Sequence, residues 1–191
     1  MSKNILTIFK NIKTPNNLLE YLCKTINYGF VTYKGKKYLE FDKDFLRYFF
    51  SEYKVQNAYV TLLSGVGTCW DLVEVERQWF SNHNFTIRTF FMYFKLDKQN
   101  NYPCHTFLVF IQNKKYFWFE YSWGSERGIH EYNTLNHLIN DVKQKHLNAT
   151  IKDFPNQEND LQNLIITEYL QPKPNLSAFE YLEFVQGNEY K

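Results

Sequence analysis

Two aromatic-rich runs with only two residues between them constrain this chain more than any other feature. Cys104–Gln112 and Lys115–Trp123 are dense in β-branched and aromatic residues, and Asn113-Lys114 alone separates them. Strand-like runs joined by so short a link close as a tight hairpin. In the register of a two-residue turn, Gln112 faces Lys115 and Glu120 faces Phe107. Side chains alternate along a strand, so His105 lies on the same face as Phe107. His105 and Glu120 then become diagonal neighbours with Cβ atoms about 7–8 Å apart, within reach of long side chains. A slip of one residue would send them to opposite faces.

Other segments fit around this hairpin. Residues 85–96 read as a further strand before the Asn100-Asn101-Tyr102-Pro103 break, and 164–170 as another near the C-terminus. A shorter hairpin spans Tyr28–Phe41, turning at Lys34-Gly35-Lys36, whose lysines read as a solvated turn. Helical spacing of apolar residues marks 15–26, with Pro15 inside its start, then 43–54, the stretch after Thr68, and 134–146. Residues 153–160 read as a polar loop and 177–185 as a terminal helix. Helices grouped with a mainly antiparallel sheet make an α+β fold. The length of 191 residues suits a single domain over 1–191, with its core at about 15–150 and a C-terminal strand and helix at 160–187 packed on it.

Composition removes several functional classes. The net charge is only +2 and the basic residues are scattered, so no nucleic-acid stripe forms. No run approaches the length of a membrane span, and Ile5–Phe9 is too short for the core of a signal peptide. Three widely spaced cysteines, Cys23, Cys69 and Cys104, do not make a disulfide framework and point to a reducing, cytoplasmic setting. His130 and His137 lack metal-ligand spacing, so neither a metal nor another cofactor is expected. Aromatic residues reach 19 % and fall inside the periodic segments, which assigns Trp79, Trp118 and Trp123 to the core.

The chemistry gathers at Gly65-Val66-Gly67-Thr68-Cys69-Trp70-Asp71. Gly65 and Gly67 interrupt the preceding segment. Thr68 is the expected N-cap of the following helix, which puts Cys69 in its first turn. Unpaired backbone N–H groups there favour an anion, and the thiolate is the reactive form of cysteine. They are also candidates for an oxyanion hole, with Gly67 letting a substrate approach the backbone. Asp71 and Glu74 oppose a neighbouring anion, so a cationic histidine must carry more of the activation. His105 is the expected base and Glu120 its orienting carboxylate, if the fold brings them to Cys69. Cys104, adjacent to His105 on a strand, is expected to face away from it and serve a structural role. Trp70 reads as core like the other tryptophans, and by its place next to the nucleophile it is also the one candidate among them to line the site.

Taken in order, these segments resemble a known family. Gly65–Asp71 is similar to the nucleophile element of transglutaminase-like proteins, Cys104–Val109 to their histidine strand and Tyr116–Trp123 to their acid strand. Asn27–Val31 and Arg127–Tyr132 resemble a subgroup of small bacterial, often mobile-element-associated members, and the likeness covers about residues 15–150. The resemblance implies a papain-like fold and a Cys69–His105–Glu120 triad that forms a thioester with a protein or peptide substrate. Many members use Asp where this chain has Glu120. Some carry a side-chain oxyanion donor upstream of the cysteine, for which Gln56 and Tyr59 are the candidates here. The implied activities are those of cysteine acyltransferases, peptidases and amidases. Two alternatives share the resemblance: an inactive transglutaminase-like binding module, and an acetyl transferase like the arylamine N-acetyltransferases.

Overall fold

A computed structural model describes residues 3–95, 103–155 and 163–187; the break at 100–102 and the loop at 156–160 lie outside the described residues. In chain order the elements are α1 (Lys3–Asn11), α2 (Pro15–Thr25), β1 (Asn27–Val31), β2 (Lys37–Leu39), α3 (Phe45–Glu52), α4 (Ala58–Ser64), β3 (Val66–Gly67), α5 (Cys69–Asn82), β4 (Thr86–Phe94), β5 (His105–Gln112), β6 (Lys115–Glu120), β7 (Gly128–Tyr132), α6 (Leu135–Asp153), β8 (Leu164–Glu168) and α7 (Ala178–Gln186). The arrangement is α+β, as the alternation of segments implies.

The hairpin of β5 and β6 forms in the expected register, with Gln112 opposite Lys115 and Leu108 opposite Phe119. Asn113 and Lys114 take φ of 52° and 63°, the left-handed pair that lets a two-residue turn follow the twist of its strands. Around this hairpin grows a five-stranded antiparallel sheet in the order β7-β6-β5-β4-β8. Alternation then assigns each strand residue to a face. Leu108, Phe110 and Phe119 pack with Phe80 and Trp79 of α5, while Phe107, Val109 and Trp118 pack with Leu138 and Val142 of α6. The sheet is thus packed by α5 on one face and by α6 on the other.

A second sheet, β2-β1-β3, pairs β1 with β2 antiparallel and with β3 in parallel. The parallel pair sets Tyr28 opposite Gly67 and so ties β1 to the chain just before Cys69. Capping marks several helix starts. Thr14 accepts from the Asn17 N–H at 3.2 Å beside Pro15, and Asn57 accepts from the Val60 N–H at 3.0 Å. At the start of α7 the Glu180 carboxylate accepts from the Ser177 N–H at 2.8 Å. Gly65 ends α4 at φ 67°, a left-handed conformation that glycine adopts without strain.

Sequence patterning did not indicate α1, α4, β3 or β7. Helix α6 also runs on to Asp153, beyond the expected end at residue 146. The aromatic residues are used as core: Trp70, Trp79, Trp118, Tyr53 and Tyr181 are among the largest fully buried side chains. Among the described residues no helix is long and apolar enough to cross a membrane.

Candidate active site

Cys69 is the first residue of α5, and Thr68 occupies the N-cap with extended backbone. The local sequence explains why the helix begins there. The Asp71 carboxylate turns back to accept from the Thr68 N–H at 3.0 Å and the Thr68 hydroxyl at 3.2 Å. Its other oxygen accepts from the Tyr53 hydroxyl and the Gln56 N–H, both at 2.7 Å. Four donors on one fully buried carboxylate fix the loop that delivers the nucleophile. Burial nevertheless outweighs these donors and pushes Asp71 up to about 6.

On the neighbouring strands, the His105 Nε2 and a Glu120 oxygen are 2.8 Å apart. The same Glu120 oxygen accepts from the Trp118 Nε1–H at 3.2 Å. The other accepts from the Ser122 hydroxyl at 3.0 Å and the Trp123 N–H at 2.7 Å. Burial alone would raise Glu120, but the His105 charge and these donors hold it below the usual carboxylate range. For His105 burial works against the cation, yet the Glu120 charge and hydrogen bonds to Cys69 and Glu120 prevail and push it up to about 10. Since Nε2 faces Glu120, the Nδ1 side of the ring is left for the thiol. Cys69, His105 and Glu120 therefore gather at one end of the sheet, with Glu120 bonded to His105 and Cys69 close enough to affect its charge.

The surroundings revise several expectations. Asp71 is occupied in capping, and the Arg77 Nε lies 3.2 Å from both Glu74 oxygens, so neither acid opposes the sulfur as an unpaired charge. Trp70 does not line the site. One residue on from Cys69 is about 100° around a helix, which turns Trp70 into the core, stacked on Tyr181 at 4.3 Å and beside Phe49 at 5.1 Å. Gly67 matters for packing within the protein: a Cβ there would lie 2.7 Å from the Thr61 Cγ2. Gln56 faces a cavity of about 320 Å³ that it shares with Glu74 and Gln78, residues on the far side of α5 from Cys69. The Gln56 Nε2 has no hydrogen-bond partner among the described residues. Tyr59 lines that same cavity. Cys104 and His105 line one cavity together, because β5 begins only at His105 and strict alternation does not reach Cys104.

That second cavity, of about 310 Å³, opens beside the triad and is walled by Tyr28, Glu40, His105, Trp123, His146 and Asp153 among others. Three further residues surround the centre beyond those the sequence singles out. The Tyr28 hydroxyl donates to the Cys69 sulfur at 3.7 Å, across 41 residues of chain. Glu76 stands two turns along α5 from Cys69, on the same face, and is 4 % exposed. Burial, then the Glu120 charge, push its carboxyl well above the usual range. The His146 ring lies 6.4 Å from that of His105, and burial together with the His105 charge lowers it to about 4. Glu76 is the one of these that the helical period from Cys69 marks, once α5 is known to pack on the sheet.

Among the described residues no group of His, Cys, Asp and Glu side chains is arranged to hold a metal ion. None of the three cysteines is in a disulfide; Cys23 is exposed and Cys69 buried. Comparison with family models, with curated proteins and with solved structures finds no match to this chain.

Proposed function

We propose that the protein is a cysteine-dependent acyl-transfer enzyme of transglutaminase-like, papain-like type that works on amide-type carbonyls of a protein or peptide substrate. The observation that carries this reading is the His105–Glu120 contact at 2.8 Å beside a cysteine that opens a helix. An imidazolium next to sulfur stabilises thiolate, and the helix start adds unpaired N–H groups. In the reaction the Cys69 sulfur bonds to the carbonyl carbon. The tetrahedral centre collapses to a thioester as His105 hands a proton to the leaving amine. Water or a second amine, deprotonated by the same imidazole, then takes the acyl group and frees the sulfur. Glu120 holds the ring in the tautomer this needs.

Alkylation of the folded protein tests the reading. Iodoacetamide at neutral pH is expected to label Cys69, only 5 % exposed, faster than the exposed Cys23, and His105→Ala to abolish that preference. Labelling that follows exposure alone, with Cys23 first, contradicts an activated thiol and supports an inactive binding module.

A further inference from the structure

We infer that Tyr28 is a catalytic residue of this centre, its hydroxyl supplying the side-chain donor of the oxyanion hole. The inference rests on the acyl-transfer reading and goes beyond it, because the upstream candidates Gln56 and Tyr59 line a different cavity, with Glu74 and Gln78. Three observations place the hydroxyl. It donates to the Cys69 sulfur at 3.7 Å, so it already reaches the reacting atom. Its residue lines the cavity beside the triad together with His105, so the hydroxyl stands between that cavity's wall and the sulfur it bonds. Its strand is fixed to the nucleophile's approach: Tyr28 pairs with Gly67, and the Asn27 N–H donates to the Gly65 carbonyl at 2.9 Å.

The other side of β1 is as tightly held. A Cβ added at Gly29 would lie 2.3 Å from the Tyr38 carbonyl oxygen, so β1 lies close against β2 at the residue after Tyr28. The donor is therefore positioned before substrate binds, as electrostatic stabilisation requires. Burial, then the nearness of Cys69, push the phenol well above its ordinary value, which keeps it a donor at any working pH.

The electron count is simple. The sulfur lone pair forms the S–C bond while the C=O π pair moves onto oxygen. That oxygen is two bonds from the sulfur, and the assigned role requires the Tyr28 O–H, with the Cys69 N–H, to stand about 2.7–3.1 Å from it. The pair then returns and expels the leaving group. Tyr28 keeps its proton throughout, and His105 does the proton transfer.

Two reagents separate this role from thiol activation. 4-Nitrophenyl acetate passes through an oxyanion, and its phenolate leaves without a proton. Iodoacetamide reacts at a saturated carbon and forms no oxyanion. Tyr28→Phe is expected to slow acetylation of Cys69 by about 10²–10³-fold, far more than it changes Cys69 alkylation, which loses only the Tyr28–sulfur hydrogen bond. Acetylation at or above the wild-type rate overturns the assignment, and a rate above it would make Tyr28 a block on the sulfur. An equal fall in both reactions also overturns it, since Tyr28 would then act on the thiol or the fold. Failure of wild-type Cys69 to alkylate preferentially defeats the parent reading instead.

Discussion

Glu120→Gln is expected to lower acyl-transfer turnover by about 10³–10⁴-fold, the scale on which a misplaced histidine tautomer disables such a triad. The reason lies in the four donors aimed at the carboxylate, two at each oxygen. A carboxamide has one oxygen and one NH₂. Its oxygen is drawn to the Trp123 N–H and Ser122 hydroxyl, which leaves the NH₂ facing His105. His105 then has to present a lone pair at Nε2, carries its proton on Nδ1 and offers Cys69 no base. Turnover of an amide substrate, normalised to folded protein by circular dichroism, measures the loss.

The same variant has a signature in stability. His105 is held above its unfolded value in the native state, so its contribution is complete below about pH 6.5 and is lost as pH rises through about 10. Glu120, held low, contributes above its unfolded value and loses that contribution as pH falls through its depressed native value. Urea midpoints of the wild type are therefore expected to fall between pH 7 and 10.5. Glu120→Gln, without the charge that raises His105, is expected to lose less over that interval.

Trp70→Ala should have the largest effect on stability, about 3–5 kcal/mol, which for a chain of this size lowers Tm by about 6–20 °C. Trp70 is 2 % exposed and meets Phe49, Tyr53, Phe91 and Tyr181, so truncation opens a hole among rings from α3, β4 and α7. Trp70→Phe fills most of that space. It is expected to keep the iodoacetamide preference for Cys69, because Trp70 supports the helix from behind and does not face the substrate cavity. A loss of that preference in a variant with near wild-type Tm would return Trp70 to the site.

These cases mark what the amino-acid sequence makes legible. The β5–β6 register follows from a two-residue turn and strict alternation, both local rules, and with it comes the His105–Glu120 contact. Thr68 as N-cap, with Asp71 three residues on, is a local rule too. Trp70 follows Cys69 directly in sequence, but the helical rotation between them turns its side chain into the core. Helix α4 buries only Ala58 and Thr61, so it has no apolar stripe to detect. Strand β7 has no fully buried residue and exists through its pairing with β6. The contact of Tyr28 with Cys69 depends on the parallel pairing of β1 with a two-residue strand, and no periodicity encodes such a pairing.

The central claim is that Cys69 takes an acyl group because His105 and Glu120 prepare it. Peptide mapping by mass spectrometry after brief treatment with 4-nitrophenyl acetate at neutral pH tests this directly. The account predicts acetyl on Cys69 in excess over the exposed Cys23, reduced to the level of Cys23 or below in His105→Ala. Acetyl carried mainly by Cys23, or equal acetylation of Cys69 with and without His105, would contradict it.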